Sequence, residues 1–209
     1  MSQLSGPELL LATTNPGKQR EFARLIPSDV IVRTLDDVRV TLPPEAGATF
    51  AANADLKAAA ASVQSGMLAL ADDSGLEVSA LGGAPGVRSA RYGGEPRSDE
   101  RNRNALLEAM RDVPVEMRSA RFVCSVSVAR AGVVIARSAG TREGFIATEE
   151  AGSHGFGYDS LFRLPDGRTM AELPPSEKNE ISHRAIAYRR VVPALLGALG
   201  INVTTGVNE

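Results

Sequence analysis

The chain has 209 residues, with 23 Lys plus Arg against 25 Asp plus Glu, a formal charge of −2, and a 43% hydrophobic fraction. These are ordinary values for a globular protein that buries a sizeable core, and the balanced charge argues against nucleic-acid binding, which needs a basic surface. The lone Cys124 excludes an internal disulfide; the apolar stretch Leu9–Leu11 is too short for a signal peptide and no segment suits a membrane span, so the cytoplasm is the expected location.

The first predicted element is a buried strand, Leu9–Ala12, followed by the polar turn Thr13-Thr14-Asn15-Pro16-Gly17 and a helix from about Lys18 to Leu25. Val30–Val32 reads as a strand. Thr49 is an N-cap for an Ala-rich helix ending near Gly66. Met67–Ala71 reads as a short strand running into the polar group Asp72-Asp73-Ser74-Gly75, and Ser98 caps a helix to about Met110. Ala120, Phe122, Cys124, Val126 and Val128 alternate with more polar neighbours, the period of a strand with one packed face. Gly132 turns this strand into a second, Val133–Ser138, as an antiparallel hairpin. A last helix covers Ser182–Leu199, with Pro193 expected to kink it, and the tail from about residue 201 is expected to fray. No repeat or linker divides the chain, so residues 1–209 read as a single domain. Strands alternating with helices and then a hairpin indicate an α/β fold, a mixed sheet with helices around it.

Several groups of residues carry possible chemistry. Thr13-Thr14-Asn15-Pro16-Gly17-Lys18 lies between a strand and a helix, where backbone N–H groups and Lys18 can hold an anion; an ordinary surface turn suits the same residues. The glycine spacing of a Walker A loop is absent. Phe50, Ala54, Lys57 and Ala61 share one helix face, so Lys57 sits in an apolar stripe, either snorkelling to water or neutralised by a phosphate. Asp72 and Asp73 follow a buried strand, where a carboxylate can hold magnesium or take a proton from water, or form an Asx turn ending at Gly75. Successive side chains point opposite ways, so one of the pair faces a given site while the other braces the chain. Glu45 offers another metal oxygen. Phe156, between glycines in Gly155-Phe156-Gly157-Tyr158-Asp159, can lie flat on a planar base while Asp159 accepts hydrogen bonds; Tyr158 can equally pack inward. Ser176 to Arg184 concentrate donors, including His183, ahead of the last helix. Cys124 reads as core, His154 as solvated, and Arg97–Arg103 as a solvated helix start. Arg88 and Arg91 suit either a site edge or a subunit contact.

Taken in order, the segments Ala12–Lys18, Ala71–Leu76, Leu81–Gly86, Gly155–Asp159 and Glu177–Arg184 resemble the inosine/xanthosine triphosphate pyrophosphatase family, over about Leu9 to Leu196. The resemblance implies an elongated mixed β-sheet flanked by helices, with two lobes around a central cleft, and a homodimer. It implies hydrolysis of ITP, dITP and XTP to the monophosphate and pyrophosphate with Mg2+. Thr13, Thr14, Asn15, Pro16, Gly17, Lys18 and Lys57 are then the triphosphate grip. Asp73 is the general base and a metal ligand, Glu45 a second metal carboxylate, and Ser74 a substrate contact. Phe156, Gly157, Tyr158, Asp159, Lys178, His183 and Arg184 recognise the base. The chain departs from the family pattern at Ala52, where a Glu commonly precedes Asn-Ala. The rival readings are a pyrophosphatase for other modified nucleotides and a non-catalytic nucleotide-binding regulator.

Overall fold

A computed structural model describes residues 6–201; the predicted frayed tail lies outside them apart from residue 201. Six strands form one mixed sheet in the order β2-β1-β3-β4-β5-β6, with helices flanking it. The chain divides into two compact units. Of the described residues, the first takes 6–73, 125–139 and 187–201, and the second takes 74–124 and 140–186.

In the first unit, β1 (Glu8–Leu11) is parallel to β2 (Ile31–Arg33) on one side and to β3 (Ala69–Val78) on the other, with Leu10 opposite Ala69. All but the first residue of β1 are buried, the apolar run of a parallel strand covered on both faces. The helix α1 (Pro16–Leu25) starts on Asn15, whose Oδ1 accepts from the N–H groups of Gly17 and Lys18. A short helix, α2 (Leu35–Val38), escaped the sequence reading although Thr34 and Asp37 form a reciprocal capping box. Four residues are too few to show a periodicity. The Ala-rich α3 (Phe50–Ser65) runs from the Thr49 cap to Gly66 at φ 71°, as expected. Ala58 and Ala61 on its inner face pack with Leu10, Leu35, Ala69 and Ala71 into the first core.

The second unit has its own core, in which Leu76, Leu106, Phe122, Ile146, Phe162 and Met170 meet. The helix α4 (Asp99–Ala109) begins on Ser98 as predicted. Strand β6 (Phe162–Arg163) pairs antiparallel with β5, Ile146 opposite Phe162. The donor-rich segment before the last helix is itself a helix, α5 (Pro175–Ile181), with a proline in its first turn. Ser182 ends it in an extended conformation, and its Oγ accepts from Ala185 N–H to start α6 (His183–Ala198). Pro193 lies inside α6.

Both central hairpin strands are longer than predicted: β4 is Ser119–Arg130 and β5 is Val133–Ile146. They neighbour each other in the sheet and are joined by two residues, a link that antiparallel strands alone can use. Ala131 and Gly132 both have positive φ, 49° and 82°, the conformation that matches strand twist. Alanine bears a steric cost there that asparagine largely avoids, so Ala131→Asn is expected to raise stability by about 0.5 kcal/mol. A thermal melt of the variant beside the parent checks it.

Candidate active site

The largest departure from the sequence reading concerns Asp72-Asp73-Ser74-Gly75. Turn chemistry suggests a loop there, yet β3 runs unbroken through all four residues. A strand position accepts aspartate when the carboxylate finds partners, and both carboxylates here do. Asp72 is fully buried, with Oδ2 2.9 Å from Lys18 Nζ. Asp73 is 6% exposed; Oδ2 accepts from Asn53 Nδ2 at 2.8 Å and Oδ1 lies 3.7 Å from Lys57 Nζ. Lys57 also donates to Glu45 Oε1 at 2.7 Å. Lys57 therefore points inward from α3 among three acidic groups.

The electrostatics follow from this packing. Burial alone would depress the Lys57 pKa, but Asp72, Asp73 and Glu45 outweigh it and the net shift is upward, so Lys57 stays charged. For Asp73 burial prevails: its pKa lies above the usual carboxylate value, although Lys57, Lys18 and the Asn53 hydrogen bond pull it down.

The Thr13–Lys18 turn is present with a different internal wiring. Thr13 and Gly17 are buried; Thr14, Asn15 and Pro16 are exposed. Asn15 already satisfies the Gly17 and Lys18 amides, so those two groups serve the cap. The Lys18 ammonium is held beside Asp72.

A second cluster lies in the second unit. Arg184 Nη2 donates to Ser74 Oγ at 2.9 Å. Phe156 has Lys178 Nζ 4.9 Å and Arg184 Cζ 5.6 Å from its ring centroid, both within cation–π range. Asp159 Oδ2 accepts from Lys178 Nζ and from Phe156 N–H, which ties the lysine to the loop. Gly155 is required beside it, because a Cβ there would fall 2.0 Å from the same oxygen. His183 is buried and stacks on Phe122 at 4.8 Å and 17°. Tyr158 is core: its hydroxyl donates to the Ser89 carbonyl, and burial first, then Tyr92 and Asp99, pushes the phenol far above its ordinary pKa. Arg88 is exposed and Arg91 half-buried. Cys124 is buried and His154 exposed, as expected.

The family model that matches this chain, over residues 9–194, is that of the Ham1 family. The chain belongs to the Ham1 family. The dITP/XTP pyrophosphatase of Geobacillus kaustophilus is 50% identical over 187 residues, 88% of this chain and 92% of that protein. The dITP/XTP pyrophosphatase of Thermus thermophilus is 48% identical over 194 residues, 91% and 93% of the two chains. Among solved structures, a HAM1 protein from Coxiella burnetii matches with a TM-score of 0.82 at 38% identity, covering 91% of this chain and 98% of that one. A nucleoside-triphosphatase, dITP/XTP pyrophosphatase, from Mycobacterium abscessus matches at 0.71 and 41% identity, covering 90% and 98%.

One residue of this Ham1-family site escaped the sequence reading. Asn53 is 1% exposed and uses both ends of its amide: Nδ2 holds Asp73, while Oδ1 accepts from Gly47 N–H at 2.7 Å. It thereby ties the segment carrying Glu45 to the strand carrying Asp73. Gly47 allows the approach, since a Cβ there would lie 2.6 Å from Asn53 Oδ1. The available signal was an amide on the buried face of an Ala-rich helix, one turn before Lys57. Ala52, the departure from the family pattern, is exposed.

Removing Asn53 leaves two buried polar groups without this partner, so Asn53→Ala is expected to cost about 2–3 kcal/mol of stability. Urea unfolding measures the loss. Asp73→Asn should behave in the opposite way. The folded carboxyl holds its proton more tightly than the unfolded one, so its contribution to stability is full below the unfolded pKa and lost as pH rises through the folded pKa. A neutral amide escapes that loss. The variant is expected to melt at or above the parent at pH 7.5, and any excess should shrink as pH falls through the folded pKa and vanish below the unfolded one.

Proposed function

We infer that this chain hydrolyses non-standard purine nucleoside triphosphates, ITP, dITP and XTP, to the monophosphate and pyrophosphate. The observation that carries this reading is the Asp72–Asp73 pair, buried in a strand and bracketed by Lys18 and Lys57. A buried carboxylate whose pKa is raised suits a general base, and two ammonium groups beside it suit a triphosphate. The dITP/XTP pyrophosphatase names of relatives at 48–50% identity agree with it.

Nucleotide pyrophosphatases generally use a divalent metal, and we propose Mg2+. The donor set fits. Glu45 and Asp73 already converge on one cation, Lys57 Nζ, and both are hard oxygen donors. Magnesium takes one or two carboxylates plus substrate phosphates, keeping water elsewhere. When bound, the ion would offset the phosphate charge that grows as the bond to the leaving group breaks.

The remaining steps belong to the chain. Asp73, oriented by Asn53, takes the proton of the water that attacks the α-phosphorus. Lys18 and Lys57 neutralise the phosphates, and the Thr13–Gly17 turn supplies the side chains and backbone around them. Phe156 supports the purine ring. Lys178 and Arg184, with His183 behind them on Phe122, donate to a 6-oxo group. Adenine presents a 6-amino donor instead, which would leave those buried donors unpaired, a large penalty. Ser74 accepts from Arg184 and fixes its direction.

We further propose that the chain acts as one pyrophosphatase domain, as a homodimer, in the cytoplasm. No helix among the described residues is long and apolar enough to cross a membrane.

Pyrophosphate release from ITP, XTP, GTP and ATP in Mg2+ tests the function: ITP and XTP are expected to exceed ATP in kcat/KM by about a hundredfold or more. Equal values across the four would end the reading. Asp73→Asn should lower kcat for ITP by about a thousandfold while nucleotide binding persists. Chelation of the divalent ion should likewise stop turnover.

A further inference from the structure

Arg97–Arg103 reads from the sequence as a solvated helix start, and Asp99 is exposed as that reading requires. Two side chains of the segment nonetheless reach one residue of the Phe156 loop. Asp99 Oδ2 accepts from Gly157 N–H at 2.7 Å, and Arg103 Nη1 donates to the Gly157 carbonyl at 3.1 Å. Asp99 and Arg103 stand four apart on α4, so they project from the same face, one turn from each other.

The geometry bears on the backbone of Gly157. Its N–H belongs to the peptide shared with Phe156, and its carbonyl to the peptide shared with Tyr158. Rotation about φ turns the first peptide and rotation about ψ turns the second. Each soft torsion of Gly157 is therefore pinned from outside, at a residue with φ 63° and no Cβ of its own to restrict it. The arginine has a second attachment to the loop. Its Nε lies 2.8 Å from Glu150 Oε2, and Ser160 Oγ donates to that same oxygen at 2.7 Å. Within the loop, Asp159 holds the Phe156 amide.

We propose that Asp99 and Arg103 are positioning residues for base selection, clamping Gly157 so that the Phe156 ring stays aligned with Lys178 and Arg184. The proposal rests on the assignment of Phe156 to the purine under the function above. A glycine beside the aromatic platform would otherwise let the ring swing, and small misplacements of binding groups cost selectivity before they cost chemistry. The clamp touches no substrate and acts through Gly157.

The test compares ITP and ATP on the wild type, Arg103→Ala, Arg103→Lys, Asp99→Ala and Asp99→Asn. Hydrogen exchange at the Gly157 amide of 15N-labelled protein gives a readout independent of activity. Arg103→Ala and Asp99→Ala are expected to raise KM for ITP and lower the ITP/ATP ratio of kcat/KM about tenfold, with kcat for ITP changed less than about threefold. Asp99→Ala should also speed Gly157 exchange. Asp99→Asn loses the same charge at the start of α4 but keeps an acceptor, so it should retain both the ratio and the slow exchange. Arg103→Lys keeps one donor and should fall between. Should Arg103→Ala fail to fold, the two Asp99 variants carry the test alone. Fast Gly157 exchange with an unchanged ITP/ATP ratio would overturn the proposal, as would exchange in Asp99→Ala equal to wild type. A wild type without preference for ITP would instead overturn the proposed function, and the exchange data would still report on the clamp.

Discussion

Consecutive residues of a β-strand face opposite ways, and β3 places two aspartates in succession with both side chains buried. A buried carboxylate is costly unless a charge and hydrogen bonds meet it. Here the partners come from separate elements: Lys18 from the first turn of α1 meets Asp72, while Asn53 and Lys57, from successive turns of α3, meet Asp73. The pairs fix where α1 and α3 can lie against the strand. They also hold Glu45, because Asn53 takes the Gly47 amide and Lys57 takes the Glu45 carboxylate. Losing either lysine would take a charged partner from a buried carboxylate, so the contacts that pack the first unit are the ones the proposed mechanism uses.

The second unit solves a different problem. Its loop needs glycines for tight turns, and at Gly155 because Asp159 leaves no room for a side chain. Glycines make a loose support for an aromatic ring. The order is restored by polar side chains acting on the backbone: Asp159 on Phe156, and Asp99 and Arg103 on Gly157. Lys178 is held by the same Asp159 oxygen that holds the Phe156 amide, so ring and cation share one anchor. Tyr158, buried and bonded to Ser89, roots the loop in the core.

What was legible in the sequence was local and periodic. Thr49 and Gly66 bound α3, and the Ala120–Val128 alternation is β4, whereas the apolar stripe left Lys57 either snorkelling or inward, and the structure buries it. Of the candidate site residues, Lys18, Glu45, Lys57 and Asp73 fall in one unit, and Ser74, Phe156, Lys178, His183 and Arg184 in the other. The failures share a cause. Asp72–Gly75 has the chemistry of a turn, and the partners that accommodate its two aspartates in a strand, Lys18, Asn53 and Lys57, stand on other elements. Asn53, Asp99 and Arg103 look like ordinary helix residues because their work lies in partners far along the chain. Neither α2 nor α5 is long enough for its apolar spacing to stand out.

The cluster in the first unit has three carboxylates, Glu45, Asp72 and Asp73, against two ammonium groups, Lys18 and Lys57. With Asp73 ionised, that excess of negative charge sets an order of events. A bare polyphosphate meets net repulsion at such a site, whereas a nucleotide that arrives already complexed to a divalent cation brings the missing positive charge with it. Under the proposed function, the carboxylate excess thus favours a metal–nucleotide complex over the nucleotide alone.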